Sequence, residues 1–581
     1  MKVRLARTAG FCMGVRRVME LALSAVRHHP GPLYTYGPLI HNPQVLELLR
    51  SKGIEVLREL PAPGSRRGGT VIIRAHGVPP HDKAALKRAG FDQVLEGTCP
   101  RVLKVQAIIA KAARHGKHVV IVGDAGHPEV KGLKGHAGDM GWVVSTPGEV
   151  ELLPELSQVV VVAQTTQHEE VFQQVVAALQ RRFGDLEVHD TICEATHRRQ
   201  DEVRRLAGEV DAVVVVGGRE SGNTRRLATV AAESGKVVQA VETEAEIDAE
   251  SLHRLGSVGV TAGASTPNWV IKRVVREVAA IRSDGEVAVN YICRRAFRFL
   301  VRSQFMVALG AAGMSIAASL LQGITPTVTL TAVAFFYIYA MHLLNHFLDK
   351  EAGQYNDPDR AVFLAKHQRF LVGAGVAAGA AGLGLCWALG PLPFLIVSLM
   401  SVLGLLYSVP FFPQRLERVI RIHRLKDIPG SKTVSAALAW SVVAAVLPAV
   451  AVGRFDWPGL VIAAGYVLVM VFLRCALFDI LDVQGDLIVG KETLPIFLGP
   501  AKAHRLLRRL SLVLALVLVA APLAGWTSPV AWVLLLPLAG LNLMQSMLGR
   551  TWMMPGTLSE GLVEFNFCLA GAAAWLYSAW A

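Results

Sequence analysis

The sequence predicts two architectures in series: an N-terminal α/β part of three similar lobes, then an all-α integral membrane part of nine helices. Three observations predict it. Before residue 283, a β-branched apolar run, a small or polar turn and a helix-like segment recur in that order five times. After residue 303 the chain is almost wholly apolar, in runs near the roughly 20 residues that cross hydrocarbon. Between them lies a basic segment, Asn290 to Arg302, reading NYICRRAFRFLVR. The expected divisions are residues 1–283, a basic amphipathic junction at 284–303, and 304–581.

Composition narrows the function classes. Of the 581 residues 52% are hydrophobic, and the excess lies after residue 303. The start, MKVRLARTAGFC, has bases but no apolar core, so no signal peptide is expected. A net charge of +13 does not call for nucleic acid, because much of it sits in the junction and in loops between apolar runs. Cys12, Cys99 and Cys193 are the only cysteines before the junction and form no CxxC pair, which argues against a disulfide framework and for a reducing cytoplasm.

The five strand-like runs begin at Val71, His118, Val159, Val213 and Val258. Continuous apolar strands alternating with helices imply parallel sheets covered on both faces. Ligands gather beyond the carboxyl ends of such strands, where His76, His127, Glu129, Thr165, Ser221, Asn223 and Ser265 fall. Gly217-Gly218 before Ser221 and Asn223, and Gly263 before Ser265 and Pro267, suit an anion at a helix start. A serine before such a helix serves equally as a cap.

Each cysteine stands beside small or hydroxylated residues at a strand-to-helix transition: GFCMGV, GTCPRV and TICEAT. A lone cysteine is often a small buried hydrophobe. Three in matching settings suggest one from each of three lobes. Three thiolates cannot complete a tetrahedral zinc site without a fourth ligand, but they can hold an iron–sulfur cluster with one iron open.

GFCMGV, Ile40-His41-Asn42, Ala75-His76-Gly77-Val78, Thr98-Cys99-Pro100, Gly126-His127-Pro128-Glu129, Ala163-Gln164-Thr165-Thr166, Ile192-Cys193 and Thr261-Ala262-Gly263-Ala264-Ser265 occur in this order. Together they resemble the 4-hydroxy-3-methylbut-2-enyl diphosphate reductase family of the non-mevalonate isoprenoid pathway. The resemblance implies a [4Fe–4S] cluster on Cys12, Cys99 and Cys193. It implies that His41, His76, His127, Ser221, Gly222, Asn223 and Ser265 hold the substrate diphosphate, and that Glu129, aided by Thr165, delivers protons. It also implies a ferredoxin- or flavodoxin-type electron donor, with isopentenyl and dimethylallyl diphosphates as products. Ser221-Gly222-Asn223 departs from the family's usual pattern by lacking a middle hydroxyl, while its backbone N–H remains.

Beyond Arg302 the apolar segments are about 304–322, 326–348, 369–389, 391–409, 431–452, 458–481, 509–526, 529–547 and 559–579. The loops after the second, fourth and sixth are long and basic, carrying Lys350, Arg360 and Lys366, then Arg415, Arg418, Arg421, Arg424 and Lys426, then Lys491, Lys502 and Arg505. The positive-inside rule puts these loops, and the α/β half, in the cytoplasm of a multi-pass inner-membrane protein. Asn345 and Asp349 end the second segment; Asp479, Asp482 and Asp486 end the sixth at helical spacing, which would place all three on one face. Concentrated carboxylates beside apolar helices ask for a cation, and oxygen ligands suit Mg²⁺ carrying a diphosphate.

With Leu406-Tyr407-Ser408-Val409-Pro410 and Gly490-Lys491-Glu492-Thr493-Leu494-Pro495, this half resembles the UbiA-type membrane prenyltransferases. The resemblance implies Mg²⁺–diphosphate on Asn345, Asp349, Asp482 and Asp486 with Asp479 nearby, contacts from Lys432 and Tyr407, a prenyl diphosphate and an unidentified acceptor. Gly353 stands where a further aspartate is usual, with Glu351 or Asp357 as possible substitutes. The joint expectation is a bifunctional membrane enzyme. The alternative is an active reductase with a non-catalytic anchor or prenyl-diphosphate-binding module. A redox sensor coupled to a transporter is a third reading, against which the diphosphate residues speak. The junction arginines would retain the first half at the membrane, grip anionic lipid or concentrate diphosphate.

Overall fold

The computed structural model describes residues 2–29, 31–65, 68–281, 288–348, 355–407, 430–489, 493–550 and 557–580. Contacts divide the chain into two compact units, Met1–Glu286 and Val287–Ala581.

The first unit has twelve strands among its described residues. They are β1 (Lys2–Leu5), β2 (Leu33–Tyr36), β3 (Ile54–Leu57), β4 (Thr70–Ile73), β5 (Gln93–Leu95) and β6 (Val119–Val122). Then follow β7 (Gly141–Val144), β8 (Val160–Ala163), β9 (Glu187–His189), β10 (Ala212–Val216), β11 (Val237–Val241) and β12 (Ser257–Ala262). They make three four-stranded sheets, in the orders β1-β12-β10-β11, β5-β4-β2-β3 and β9-β8-β6-β7. Every pairing is parallel. Written this way the three sheets share one plan, one sheet to each lobe. The first sheet is closed by the two ends of the unit, with Lys2 opposite Ser257 and Leu5 opposite Val260.

The inner strands explain the packing. Val71–Ile73, Val119–Val122 and Val213–Val216 are fully buried; β-branched side chains fit a pleated surface covered on both faces. All five expected strand runs appear here as inner strands, namely β4, β6, β8, β10 and β12.

The second unit is helical in its described residues. Each expected apolar segment lies on helix: Phe305–Leu321, Val328–Leu348, Gln368–Leu389, Pro391–Leu406, Ser431–Val452, Trp457–Leu481, Pro500–Leu523, Val530–Val533 with Leu535–Arg550, and Thr557–Trp580. Seven of the described helices are long and apolar enough to cross a membrane. An eighth arises if the bent pair Arg295–Arg302 and Phe305–Leu321 is one span, and Pro391–Leu406 is a shorter apolar helix. The seventh segment begins earlier than expected, at Pro500 rather than 509. Pro500 is preorganised for a first helical position, and the following Lys502 and Arg505 are good helix formers, so both ride the helix rather than a loop.

Small residues bring the first and last of these helices together. A side chain on Gly571 would run into the backbone of Gly313, and one on Gly313 into the backbone of Phe567 and Cys568. Such contacts replace the hydrophobic drive that lipid removes. The junction is one helix, Ala288–Arg302. It turns through 69° into Phe305–Leu321 at Gln304, whose φ is 65°.

Candidate active sites

Each sheet of the first unit sends the same two kinds of turn from its carboxyl edge. The edge strands β1, β5 and β9 lead to the cysteines, and each cysteine stands at a helix start: Cys12 before Met13–His28, Cys99 before Pro100–Arg114, Cys193 before Glu194–Glu209. The neighbouring strands β12, β4 and β8 lead to Ser265, His76 and Thr165. One backbone bond joins the two turns in every lobe. Cys12 N–H donates to Ala264 O (3.1 Å), Cys99 N–H to Ala75 O (2.9 Å) and Cys193 N–H to Thr165 O (2.8 Å). The thiols are therefore tied, lobe by lobe, to the turns bearing the candidate substrate residues.

The three thiols are free and half-buried. Burial pushes the Cys99 thiol up, and its proximity to Cys12 and Cys193 pushes the same way, against backbone N–H groups of Arg101 and Val102. Helix starts favour thiolate, and the mutual repulsion is what a cation on all three would relieve. Gly14 keeps the Cys12 helix against the Cys99 sulfur; any side chain there would strike it. This convergent soft donor set fits an iron–sulfur cluster. Sequence reasoning missed Arg199. It is buried, donates to Gly10 O (2.6 Å) and places its charge near Cys12 and Cys193. Its place in the helix following Cys193 was the available signal.

His41, His76 and His127, from the turns after β2, β4 and β6, form one cluster. Ring centroids are 4.6 Å apart for His41–His76, 5.4 Å for His76–His127 and 5.6 Å for His41–His127. Ser265 Oγ–H donates to His41 O at 3.1 Å and its oxygen lies 3.4 Å from Ser221 Oγ, so the serine turns border the histidine cluster. Gly218 packs on His41 O, where a side chain would clash, and Gly222 faces His127 and Thr166. His41 Nε2, His76 Nδ1 and Asn223 Nδ2 are buried without a hydrogen-bond partner among the described residues. Three such atoms around one cluster are polar groups that a polar ligand can engage.

Burial lowers the pKa of all three histidines; His41 also lowers His76 and His127, and His127 lowers His76, while Glu220 opposes the shift at His41. His127 falls to about 4. Its Nδ1 accepts the Glu129 N–H at 3.1 Å, which leaves the proton on Nε2. Glu129 is buried in the first turn of Pro128–Ala137. Its Oε1 accepts Thr165 N–H (2.7 Å) and its Oε2 accepts Thr165 Oγ–H (2.9 Å). Burial raises its pKa, opposed by those two bonds and by Arg226. Arg226, also missed from sequence, is fixed by Thr166, Gln167 and Asp124 at 3.0–3.2 Å.

In the second unit the structure corrects one expectation. Asp479, Asp482 and Asp486 do not ride one continuous helix. Trp457–Leu481 ends, Asp482 is its C-cap, and Val483–Val489 begins anew. Backbone bonds still run from Asp482 N to Phe478 O and from Asp486 N to Asp482 O, so the turn keeps the carboxylates in sequence. Lys432 interacts with all three. Asp479 Oδ2 accepts Thr433 Oγ–H at 2.7 Å, and Asp486 Oδ1 accepts Asn356 Nδ2–H at 2.9 Å. Burial pushes Asp486 up to about 7, with Asp482 and Asp479 adding to it and Lys432 opposing. Asn345 Oδ1 is buried with no partner among the described residues. The oxygen-rich donor set of Asp479, Asp482 and Asp486 is of the kind that suits a hard cation. Tyr407 and Ser431 share a hydroxyl contact of 2.8 Å. Asp349, Glu351, Gly353, Ser408–Pro410 and 490–492 lie outside the described residues.

Residues 3–279 match the family described as LytB protein, and residues 306–552 match the UbiA prenyltransferase family. The 4-hydroxy-3-methylbut-2-enyl diphosphate reductase of Geobacter sp. (strain M21) is 44% identical over 284 residues, which cover 49% of this chain and 99% of that protein. A solved (E)-4-hydroxy-3-methyl-but-2-enyl diphosphate reductase is 39% identical with a TM-score of 0.39, covering 48% of this chain and 100% of its own. A UbiA homolog from Aeropyrum pernix K1 is 17% identical with a TM-score of 0.37, covering 47% of this chain and 98% of its own.

Proposed function

Because this chain belongs to the LytB protein family and carries a UbiA prenyltransferase family domain in its second half, we propose that it joins two isoprenoid reactions in one membrane protein. The first half reduces 4-hydroxy-3-methylbut-2-enyl diphosphate to isopentenyl and dimethylallyl diphosphates. The second transfers a prenyl group from its diphosphate to an acceptor. The observation that carries the first reading is the set of three equivalent cysteine N–H bonds to Ala264, Ala75 and Thr165. They support the reading by tying the cysteines to the turns that carry Ser265, His76 and Thr165.

The reaction breaks an allylic C–O bond, takes up two electrons and two protons, and releases water. A [4Fe–4S] cluster on Cys12, Cys99 and Cys193 supplies, when bound, the electrons and a Lewis-acid iron for the substrate hydroxyl. The electrons come from a ferredoxin- or flavodoxin-type protein. His41, His76, His127, Ser221, Asn223, Ser265 and the Gly222 N–H converge as donors on the diphosphate. Glu129 holds a proton at its carboxyl, and Thr165 fixes that carboxyl in place.

A diphosphate entering this pocket favours protonated imidazoles, reversing the effect of burial. Substrate binding at neutral pH is therefore expected to take up protons and to tighten as pH falls from about 8 to 6, through the ordinary histidine range. Calorimetry in buffers of different ionisation enthalpy measures the uptake. Binding without it would contradict neutral histidines as the diphosphate ligands.

For the second half, Asn345, Asp349, Asp482 and Asp486, with Asp479 nearby, hold Mg²⁺ and through it the prenyl diphosphate. Lys432 and Tyr407 contact the diphosphate or acceptor. Nine crossings, basic loops in the cytoplasm and an inner-membrane location complete the reading, with the reductase half on the cytoplasmic side. Asp482→Asn is expected to abolish transfer from labelled prenyl diphosphates in membranes, by 10²-fold or more, while leaving the reductase untouched. Transfer at the unchanged rate would favour a different metal site.

A further inference from the structure

The first acidic motif of the membrane half lacks its usual last carboxylate, with Gly353 in that position. Asp357 is already engaged. It caps the helix Pro358–Lys366, with Oδ1 accepting Arg360 N–H at 3.0 Å and Oδ2 lying 3.5 Å from Arg360 Nε. Arg360 in turn pairs with Glu560 at 2.6 Å, so Asp357 is a structural anchor. The preceding residue reaches the other motif instead. Asn356 Nδ2 donates to Asp486 Oδ1 at 2.9 Å, and Asp486 is only 2% exposed. The contact is built from both sides. Asn356 Oδ1 lies over Gly485, and a Cβ at 485 would fall on that oxygen. Glycine at 485 is what admits the amide.

We propose that Asn356 is the positioning residue of the metal–diphosphate site: it holds one oxygen of Asp486 and leaves the other to the cation. An amide suits the task. It donates to the carboxylate, orients it, and adds no charge to a site that already gathers Asp479, Asp482 and Asp486. Partners that orient a ligating carboxylate typically change metal affinity 10- to 100-fold. The inference rests on the metal–diphosphate reading given above.

Mn²⁺ binding to the full chain in the presence of geranyl diphosphate, followed by electron paramagnetic resonance, tests it without recourse to turnover. Asn356→Ala is expected to weaken Mn²⁺ binding about 10-fold or more. Gly485→Ala is expected to do the same, by pushing away an intact Asn356. Asn356→Asp is expected not to rescue, because a carboxylate offers no N–H and adds repulsion. Asp482→Asn separates the two levels. If Asp482→Asn binds Mn²⁺ as tightly as the unchanged chain, the metal–diphosphate reading itself fails. If Asp482→Asn loses Mn²⁺ while Asn356→Ala and Gly485→Ala keep it, only the role of Asn356 is overturned. Full affinity in Asn356→Asp would make the position a direct ligand and overturn the positioning role.

Discussion

Replacing Cys99 with serine is expected to give a folded, colourless chain with iron near zero and reductase activity at background. The effect should be close to complete, because Cys12, Cys99 and Cys193 are the cluster's proposed protein ligands, and a serine oxygen is a poor substitute for a soft ligand. The fold should survive. Serine is a favoured residue at a helix start such as that of Pro100–Arg114. The Cys99 backbone N–H, which bonds Ala75 O, is unchanged. Visible absorbance, iron content and a thermal melt on the same preparation separate loss of cluster from loss of fold. A serine variant that keeps its colour and turnover would remove Cys99 from the cluster.

The second large effect belongs to Glu129. Glu129→Gln is expected to slow reduction by 10²- to 10⁴-fold, the usual worth of a positioned general acid, with little change in substrate affinity. The pH dependence has a definite sign. Burial raises the Glu129 pKa, so the proton-holding form persists above the ordinary carboxylate range and activity falls as pH rises through the raised value. Stability follows the same direction. A carboxyl whose folded pKa is raised contributes most below its unfolded value and loses that contribution as pH rises through the folded one. Glu129→Gln should therefore flatten the upper limb of the stability profile while removing activity. Single-turnover rates and melts between about pH 4 and 9, which spans the ordinary carboxylate and histidine values, measure both. A variant with normal turnover and an unchanged pH profile would sink the role.

The sequence revealed the inner strands more clearly than the lobes they build. Runs such as Val119–Val122 and Val213–Val216 are legible because strands buried on both faces must be continuously apolar. β5 and β9, three residues each and partly exposed, carry no such pattern, yet they deliver Cys99 and Cys193. β1 pairs with β12 across the whole length of the unit; that pairing rests on tertiary packing, which local pattern does not encode. Cysteine spacing did suggest three lobes. What it could not convey was the repeated bond from each cysteine to the neighbouring turn, since that depends on strand order.

The same limit governed the membrane half. Helical spacing put Asp479, Asp482 and Asp486 on one face, but spacing does not register that Asp482 caps one helix and precedes the next. Asp357 looked as suitable as any acid to replace the missing carboxylate. Its use as a helix cap is a local bond to Arg360 N–H, but the reach of Asn356 to Asp486 becomes visible only when 130 residues of chain separation are closed in space. Arg199 and Arg226 were passed over for a related reason: one arginine among many acquires meaning from what it is buried against.

The most direct test is product analysis. The full chain, purified without oxygen and loaded with iron and sulfide, is mixed with reduced methyl viologen and 4-hydroxy-3-methylbut-2-enyl diphosphate. Isopentenyl and dimethylallyl diphosphates should appear together as substrate disappears, with two electrons consumed per molecule according to the balance of the reaction. Intact substrate in the presence of a fully assembled, reducible cluster would contradict the account.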